Sequence, residues 1–279
     1  MFHAEKMRAE DFTFAVQLAN TMDWNMAEED FEFMLKLEPH GSFVLFDNEE
    51  QVGIATCISY GKTGWFGNLA IKDEHRRKGA GTFLVKHAVN YLRTRHVETV
   101  GLYAYQHLIG FYEKVVFKPH DDFAVLRGKT VPIESEETFR EANEDDVPAL
   151  IEFASRCLED DRQKLLKTIL LCKSNLCYFS PQNNEISGFV AAKVYDEMAE
   201  IGPLLCRRDR ADFAVALLRT ILYRLSDIEV YACVPTKEKI LLETSEAAGL
   251  EEKFRVTKMF LGPALAEQCV YVAESLERG

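Results

Sequence analysis

Seven consecutive residues, Arg76-Arg77-Lys78-Gly79-Ala80-Gly81-Thr82, have the composition to hold a phosphate. Before them runs the strand-like stretch Trp65-Phe66-Gly67-Asn68-Leu69-Ala70-Ile71, and after them Phe83 to Leu92 carries apolar residues at helical spacing. A strand that turns through a basic loop into a helix leaves unpaired backbone N–H groups at the positive helix end, which attracts an anion. Gly79 and Gly81 would let that backbone come close to a ligand. Other phosphate-binding patterns fit less well. The third glycine of a dinucleotide fingerprint is missing, the strand does not open a βαβ unit, and no Lys follows as in a nucleoside triphosphate loop. A bare basic turn would account for Arg76 to Lys78 but not for paired glycines between a strand and a helix.

The elements that must position this loop are legible upstream. Phe2 to Met7 reads as a short strand, and a helix follows from Ala9 with Phe12, Ala15, Val16 and Ala19 on one face. Thr21 to Asn25 breaks the pattern. A second helix runs from about Ala27 to Leu37, with Phe31, Met34 and Leu35 inward and Glu28, Glu29 and Asp30 in its first turn. Phe43–Phe46, Val52–Tyr60 and Trp65–Ile71 then form an antiparallel meander leading into the loop. Beyond the loop and its helix come a strand at Val100–Ala104, a short helix at Leu108–Lys114, and a last strand pair within Phe117–Arg127, turning around Pro119 to Asp122.

Gly128 to Thr138 is polar, with Pro132 and Glu134-Ser135-Glu136-Glu137, and marks a boundary between residues 1–130 and 138–279. The second part repeats the plan of the first. Ala9-Glu10-Asp11-Phe12 has a counterpart in Glu144-Asp145-Asp146-Val147, and Val52-Gly53-Ile54-Ala55 has one in Ser187-Gly188-Phe189-Val190, at one common offset. By the position of the following helix, Gly79-Ala80-Gly81 falls opposite Phe213-Ala214-Val215, and Ser245 falls opposite Tyr112. Bulky side chains would obstruct the backbone approach there. The second copy is expected to be structural or devoted to an acceptor.

Composition bounds the function. The chain has 279 residues, is 47% hydrophobic and carries a net charge of -12, with a pI near 5.2. That balance argues against nucleic acid and against an anionic membrane as partners. The seven cysteines include no CxxC pair, and Cys172 and Cys177 have no accompanying His, so buried thiols in a reducing compartment are expected. Histidines are scattered without metal-ligand spacing, and no metal is expected. Met1 to Lys6 lacks a basic stretch followed by an apolar one, and no apolar run is long enough to span a bilayer, so the expected location is the cytoplasm.

The segment from Asn68 to Phe117 resembles the GNAT superfamily of N-acetyltransferases. The resemblance rests on Leu69-Ala70-Ile71, on the loop Arg76-Arg77-Lys78-Gly79-Ala80-Gly81, which fits the signature Arg/Gln-x-x-Gly-x-Gly/Ala, and on Phe111-Tyr112-Glu113-Lys114-Val115-Val116-Phe117. The duplication is similar to tandem members sometimes called YitH-like. The implied fold is α+β: two domains, each a mixed, mostly antiparallel sheet flanked by helices, with the fourth and fifth strands splayed in the first. The resemblance implies acetyl-coenzyme A as co-substrate, its pantetheine arm along Leu69, Ala70 and Ile71 and its pyrophosphate on Arg76, Arg77, Lys78, Gly79, Ala80, Gly81 and Thr82. The sequence departs from the family pattern at Tyr105, where an Asn is usual, and at Val116, where a Gly is usual. Tyr105 and His107 remain candidate coenzyme A contacts.

The resemblance also implies Tyr112 as the general acid that protonates the leaving thiolate; packing between Phe111 and Phe117 as a core tyrosine is the other reading. No Glu lies in Trp65–Ile71 to act as base. Asp23, Glu28, Glu29 or a water chain remain open, and Glu74 and His75 stand beside the phosphate loop. Asp23 and Trp24 lie where the acceptor commonly binds, and an aromatic face beside carboxylates suits a protonated amine; Trp24 could equally cover the core. The expected acceptor is a small-molecule amine or a protein amino group. A non-catalytic acyl-coenzyme A sensor, or transfer of another acyl or aminoacyl group, are the alternatives.

Overall fold

The computed structural model describes residues 1–131, 139–182, 185–263, 265 and 268–279. The first half runs β1 (Phe2–Lys6), α1 (Phe12–Asn20), α2 (Glu28–Leu37), β2 (Ser42–Asp47), β3 (Glu50–Tyr60), β4 (Thr63–Ile71), α3 (Ala80–Thr94), β5 (Thr99–Tyr105), α4 (Ile109–Lys114) and β6 (Lys118–Lys129). The second half repeats that order as β7 (Arg140–Glu141), α5 (Val147–Leu158), α6 (Gln163–Leu170), β8 (Leu176–Gln182), β9 (Glu185–Val194), β10 (Met198–Arg207), α7 (Ala211–Arg224), β11 (Glu229–Pro235), α8 (Lys239–Ala247) and β12 (Glu251–Leu261), and adds β13 (Cys269–Val272). Pro132 and the Glu134 to Glu137 run of the expected boundary lie outside the described residues. Among the described residues no helix is long and apolar enough to cross a membrane.

The fold is a mixed sheet flanked by helices, and the strands of both halves form one sheet in the order β1-β2-β3-β4-β5-β12-β6-β11-β10-β9-β8-β7. At its centre the halves trade strands. β12 pairs with β5, with Val256 opposite Tyr105, and β6 pairs with β11, with Phe123 opposite Pro235. Phe123 and Val256 then face each other across the β6–β12 ladder. This corrects the strand pair expected within Phe117–Arg127. The segment is one strand, and the Pro119 to Asp122 turn signal is an irregularity in its pairing with β12. The buried run Phe123-Ala124-Val125-Leu126 suits a central strand covered on both faces.

In the first half α3 packs Leu84, Val85, Ala88 and Leu92 on one face of the sheet, against Phe66, Val100 and Leu102. On the other face, Phe12, Ala15, Leu18 and Phe31 of α1 and α2 cover Val44, Ile54 and Ala70. The same face continues through Ile58, Tyr60 and Trp65 into a core shared with α5 and α6. Cys157 of α5 and Cys269 of β13 form a disulfide. Two of the seven cysteines are therefore not the expected thiols; at a sequence separation of 112, no local spacing announced the pair. Cys57, Cys177, Cys206 and Cys233 are buried thiols, and Cys172 is exposed.

Candidate active site

The parallel ladder between β4 and β5 has three residue pairs, ending at Trp65 opposite Gly101. Beyond that point the strands part, and among the described residues no strand pairs with the freed edge of β4. In the same stretch β4 carries a bulge against β3: Ala70 faces Ile54 and Gly67 faces Thr56, so Asn68 and Leu69 together oppose Ala55. Asn68 takes a left-handed φ of 50°. A bulge releases backbone groups from their ladder and re-aims them. The open edge at Leu69, Ala70 and Ile71 can accept an extended ligand arm as an added strand.

The loop after β4 ends at the start of α3, whose first N–H groups have no side-chain cap. Gly79 holds φ at +90°, a conformation strained for a residue with a Cβ, although space there is open. Arg77 is also left-handed, at φ 59°, and Arg77 and Lys78 are exposed. Two expectations about this loop change. Gly81 serves packing: a Cβ there would lie 3.3 Å from Phe111 of α4. Arg76 folds back, with Nε donating to the Ile71 carbonyl at 2.9 Å and a terminal nitrogen 2.8 Å from Asp73. It fastens the end of β4, while Arg77 and Lys78 stay exposed beside the start of α3.

Tyr112 lies in the core that α3 and α4 share, edge-on to Phe111 at 4.9 Å and to Phe117 at 6.0 Å between ring centroids. Burial pushes its phenol well above the usual value, so it holds its proton. Among the described residues its hydroxyl makes no hydrogen bond. The helix closes on Val116, which is left-handed at φ 64° and 68% exposed. A branched residue thus holds a left-handed position where the family usually has a Gly.

On the opposite face Trp24 covers the core, one of the two roles considered for it. It packs against the core of α1 and α2, and its Nε1 donates to the Tyr105 hydroxyl at 3.0 Å. Tyr105 also meets His107, 5.9 Å away, and Phe254 of β12, 5.3 Å away, so the second half helps to wall this end of the wedge. Asp23 is exposed and left-handed. Glu28 accepts from Thr13, at the outer end of α2. Asp30, expected only to complement the helix start, accepts from the Ala27 N–H at 2.9 Å. Burial, with some help from the charge of Glu277, raises its carboxyl above the usual range.

His75 turns away from the loop, 3.7 Å from both Asp47 and Glu50. With Glu74 and Glu50 it forms a cluster whose ligand atoms lie within 4.8 Å of one another. Glu74 and His75 come from the turn after β4 and Glu50 from β3. Lys72, 2.8 Å from Glu50, already supplies a positive charge.

The second half shows what became of the same frame. Its β10–β11 ladder ends at Ile201 opposite Ala232, and β10 is bulged at Gly202 and Pro203. Here β13 occupies the splay: Leu204 to Arg207 pair with Val272 to Cys269, and the Ala273 N–H donates to the Cys233 carbonyl of β11. The buried faces of α3 and of α7 with the Leu225 that follows it match Leu84, Val85, Ala88 and Leu92 with Leu217, Leu218, Ile221 and Leu225. In that register Gly79 and Gly81 meet Asp212 and Ala214, one residue from the expected Phe213 and Val215. The glycines are lost either way. Ser245 matches Tyr112 and is fully buried, its hydroxyl donating to the Leu241 carbonyl.

Comparison with known proteins agrees with this geometry. Residues 6–117 match a model described as the acetyltransferase (GNAT) family, and residues 150–272 match one described as an acetyltransferase (GNAT) domain. A putative acetyltransferase from Pyrococcus horikoshii superposes with a TM-score of 0.83 at 23% identity, covering 100% of this chain and 96% of its own. A GCN5-related N-acetyltransferase from Sphaerobacter thermophilus gives 0.68 at 16% identity, covering 100% and 98%. A tandem GNAT protein from the clavulanic acid biosynthesis pathway gives 0.64 at 13% identity, covering 95% and 100%. These likenesses are of fold. No curated protein matches the sequence. An open strand edge beside an uncapped helix in one half, its filled counterpart in the other and the two family matches lead to one assignment: this chain belongs to the GNAT family of acetyltransferases, with two such domains in tandem.

Proposed function

We propose that the chain transfers an acetyl group from acetyl-coenzyme A to a primary amine, by direct attack in a ternary complex, at a single site in residues 1–130. Residues 138–279 are a diverged domain that does not bind the co-substrate. The observation that carries the reading is the unpaired edge of β4 at Leu69, Ala70 and Ile71, beside the uncapped start of α3. The pantetheine arm runs along that edge and the pyrophosphate rests on the N–H groups from Arg77 to Thr82. A backbone N–H near Leu69, freed by the bulge, steadies the oxyanion that forms as the amine attacks. Tyr112 gives its proton to the departing thiolate. The burial that disfavours its phenolate disfavours the thiolate as well, so the two acidities stay close enough for transfer.

The acceptor enters from the α1–α2 face, past Trp24, Asp23 and Tyr105, as a small-molecule amine or a protein amino group. The protein works in the cytoplasm. The test is release of free thiol from acetyl-coenzyme A with a panel of amines, alongside calorimetry. Turnover with a defined amine and one bound coenzyme A per chain is expected. A folded chain that binds no coenzyme A would remove the reading, and tight binding without transfer to any amine would make the protein a sensor.

A further inference from the structure

The fourth strand lacks the carboxylate that would take the amine's proton, and the structure brings one to it from more than two hundred residues away. Beyond β13 the segment 273–279 leaves the filled wedge of the second half and crosses to the α2 face of β4. Trp65 Nε1 donates to the Leu276 carbonyl at 3.1 Å, and the Tyr60 hydroxyl donates to the Arg278 carbonyl at 3.0 Å. The Arg278 guanidinium lies over the Phe33 ring of α2, 5.0 Å from its centroid. At Gly67 the approach is closest: a Cβ on that residue would sit 2.6 Å from Glu277 Cα and 2.7 Å from its Cβ. Glu277 therefore starts where a side chain at position 67 would have projected, next to the bulge at Asn68.

The segment is fixed by buried charge. Glu274 is held by Lys193 and by Arg278, whose Nε is 3.0 Å from its Oε2, while Lys193 also meets Glu200 at 2.6 Å. Glu277 pairs with Arg278, yet its side chain keeps 22% exposure, so it is open to solvent while its backbone lies against Gly67 on the α2 face. We propose that Glu277, delivered by the second half, is the general base of the site in the first. The inference rests on the acetyl transfer proposed above. The amine nitrogen forms its bond to the acetyl carbon and the carbon–sulfur bond breaks with its electron pair on sulfur. The nitrogen's proton passes to the Glu277 carboxylate, directly or through one water, and Tyr112 protonates the thiolate. Glu277 then releases its proton to solvent and Tyr112 takes one back from solvent, which restores both groups.

The groups around Glu277 that titrate or carry charge are Arg278 and Glu274 in its own segment, Asp30 of α2, Lys193 of β9, Glu200 of β10 and Tyr195. The test is kcat/KM against pH for wild type, Glu277→Gln, Glu277→Asp and Asp30→Asn, with coenzyme A affinity and thermal melting measured on each. Glu277→Gln should lose about 10²- to 10⁴-fold near neutral pH. The loss should shrink as rising pH removes the amine's proton without help, and coenzyme A affinity should hold. Glu277→Asp should keep part of the activity. Wild-type kinetics in Glu277→Gln would overturn the assignment. So would an equal loss at every pH, which is structural, or a pH dependence that Asp30→Asn abolishes and Glu277→Gln does not. A wild-type chain that binds no coenzyme A, or acetylates no amine, fails the proposed function itself and takes this inference with it.

Discussion

The two halves set a strand splay in the same place and treat it in opposite ways. In the first, β4 and β5 part after Trp65 and the edge of β4 stays unpaired; in the second, β10 and β11 part after Ile201 and β13 fills the gap with four residue pairs. The difference shows what a ligand-binding wedge costs: unpaired backbone at a sheet's interior edge is favourable only when something satisfies it. The second half satisfies it with its own chain. The first leaves it open, which is the basis of the binding site proposed there.

That contrast can be broken most forcefully at the charge cluster holding the filled side. Glu274→Gln leaves Lys193 and Arg278 buried with less compensation and should destabilise the protein by about 3–5 kcal/mol in denaturant unfolding. Burial works against ionisation of Glu274, but Arg278 and Lys193 outweigh it and hold its carboxyl at about 2. Because the folded value is depressed, the stabilisation is complete above the ordinary carboxylate range and is lost as pH falls from about 4.5 toward 2. Acid unfolding of wild type against Glu274→Gln reads this as a narrowing difference.

Next comes the paired test of the two helices after the wedges. Tyr112→Phe should lower kcat by about 100-fold with unchanged coenzyme A affinity, whereas Ser245→Ala, at the matching position, should leave kcat alone. Steady-state kinetics on both variants decides whether the halves differ in chemistry as well as in packing. A smaller effect is expected at Gly79. Alanine there must adopt the left-handed region at a cost of about 1–2 kcal/mol, and if part of that falls on the bound state, coenzyme A affinity in calorimetry drops by up to about tenfold. The smallest change is a gain. Val116→Gly relieves a branched residue at positive φ on an exposed helix end and should add about 1 kcal/mol, read as a rise of about 2–4 °C in melting temperature.

Local pattern made much of this legible. Alternation and helical spacing located the meander, the loop and its helix, because each depends on neighbours in sequence. The two-fold repeat was readable because Asp11 and Asp146 close the same turn in both halves. What local pattern could not carry is partner choice across distance. A segment that reads as a strand pair, Phe117–Arg127, lies in the single strand Lys118–Lys129, which takes its partners from the other half. Nothing around Cys157 points to Cys269, and nothing around Gly67 points to Glu277. The loop glycines were read for ligand approach, and only packing against Phe111 distinguishes Gly81 from Gly79. Arg76, basic and in the motif, proved to be committed to the Ile71 carbonyl.

The traded strands β6 and β12 give the tandem chain the character of a domain-swapped dimer whose protomers have been joined covalently. Each half is completed by a strand the other half supplies, so a cut between residues 130 and 138 would not release two independent domains. The pieces would stay bound as a heterodimer, and either one expressed alone would present open strand edges at its centre.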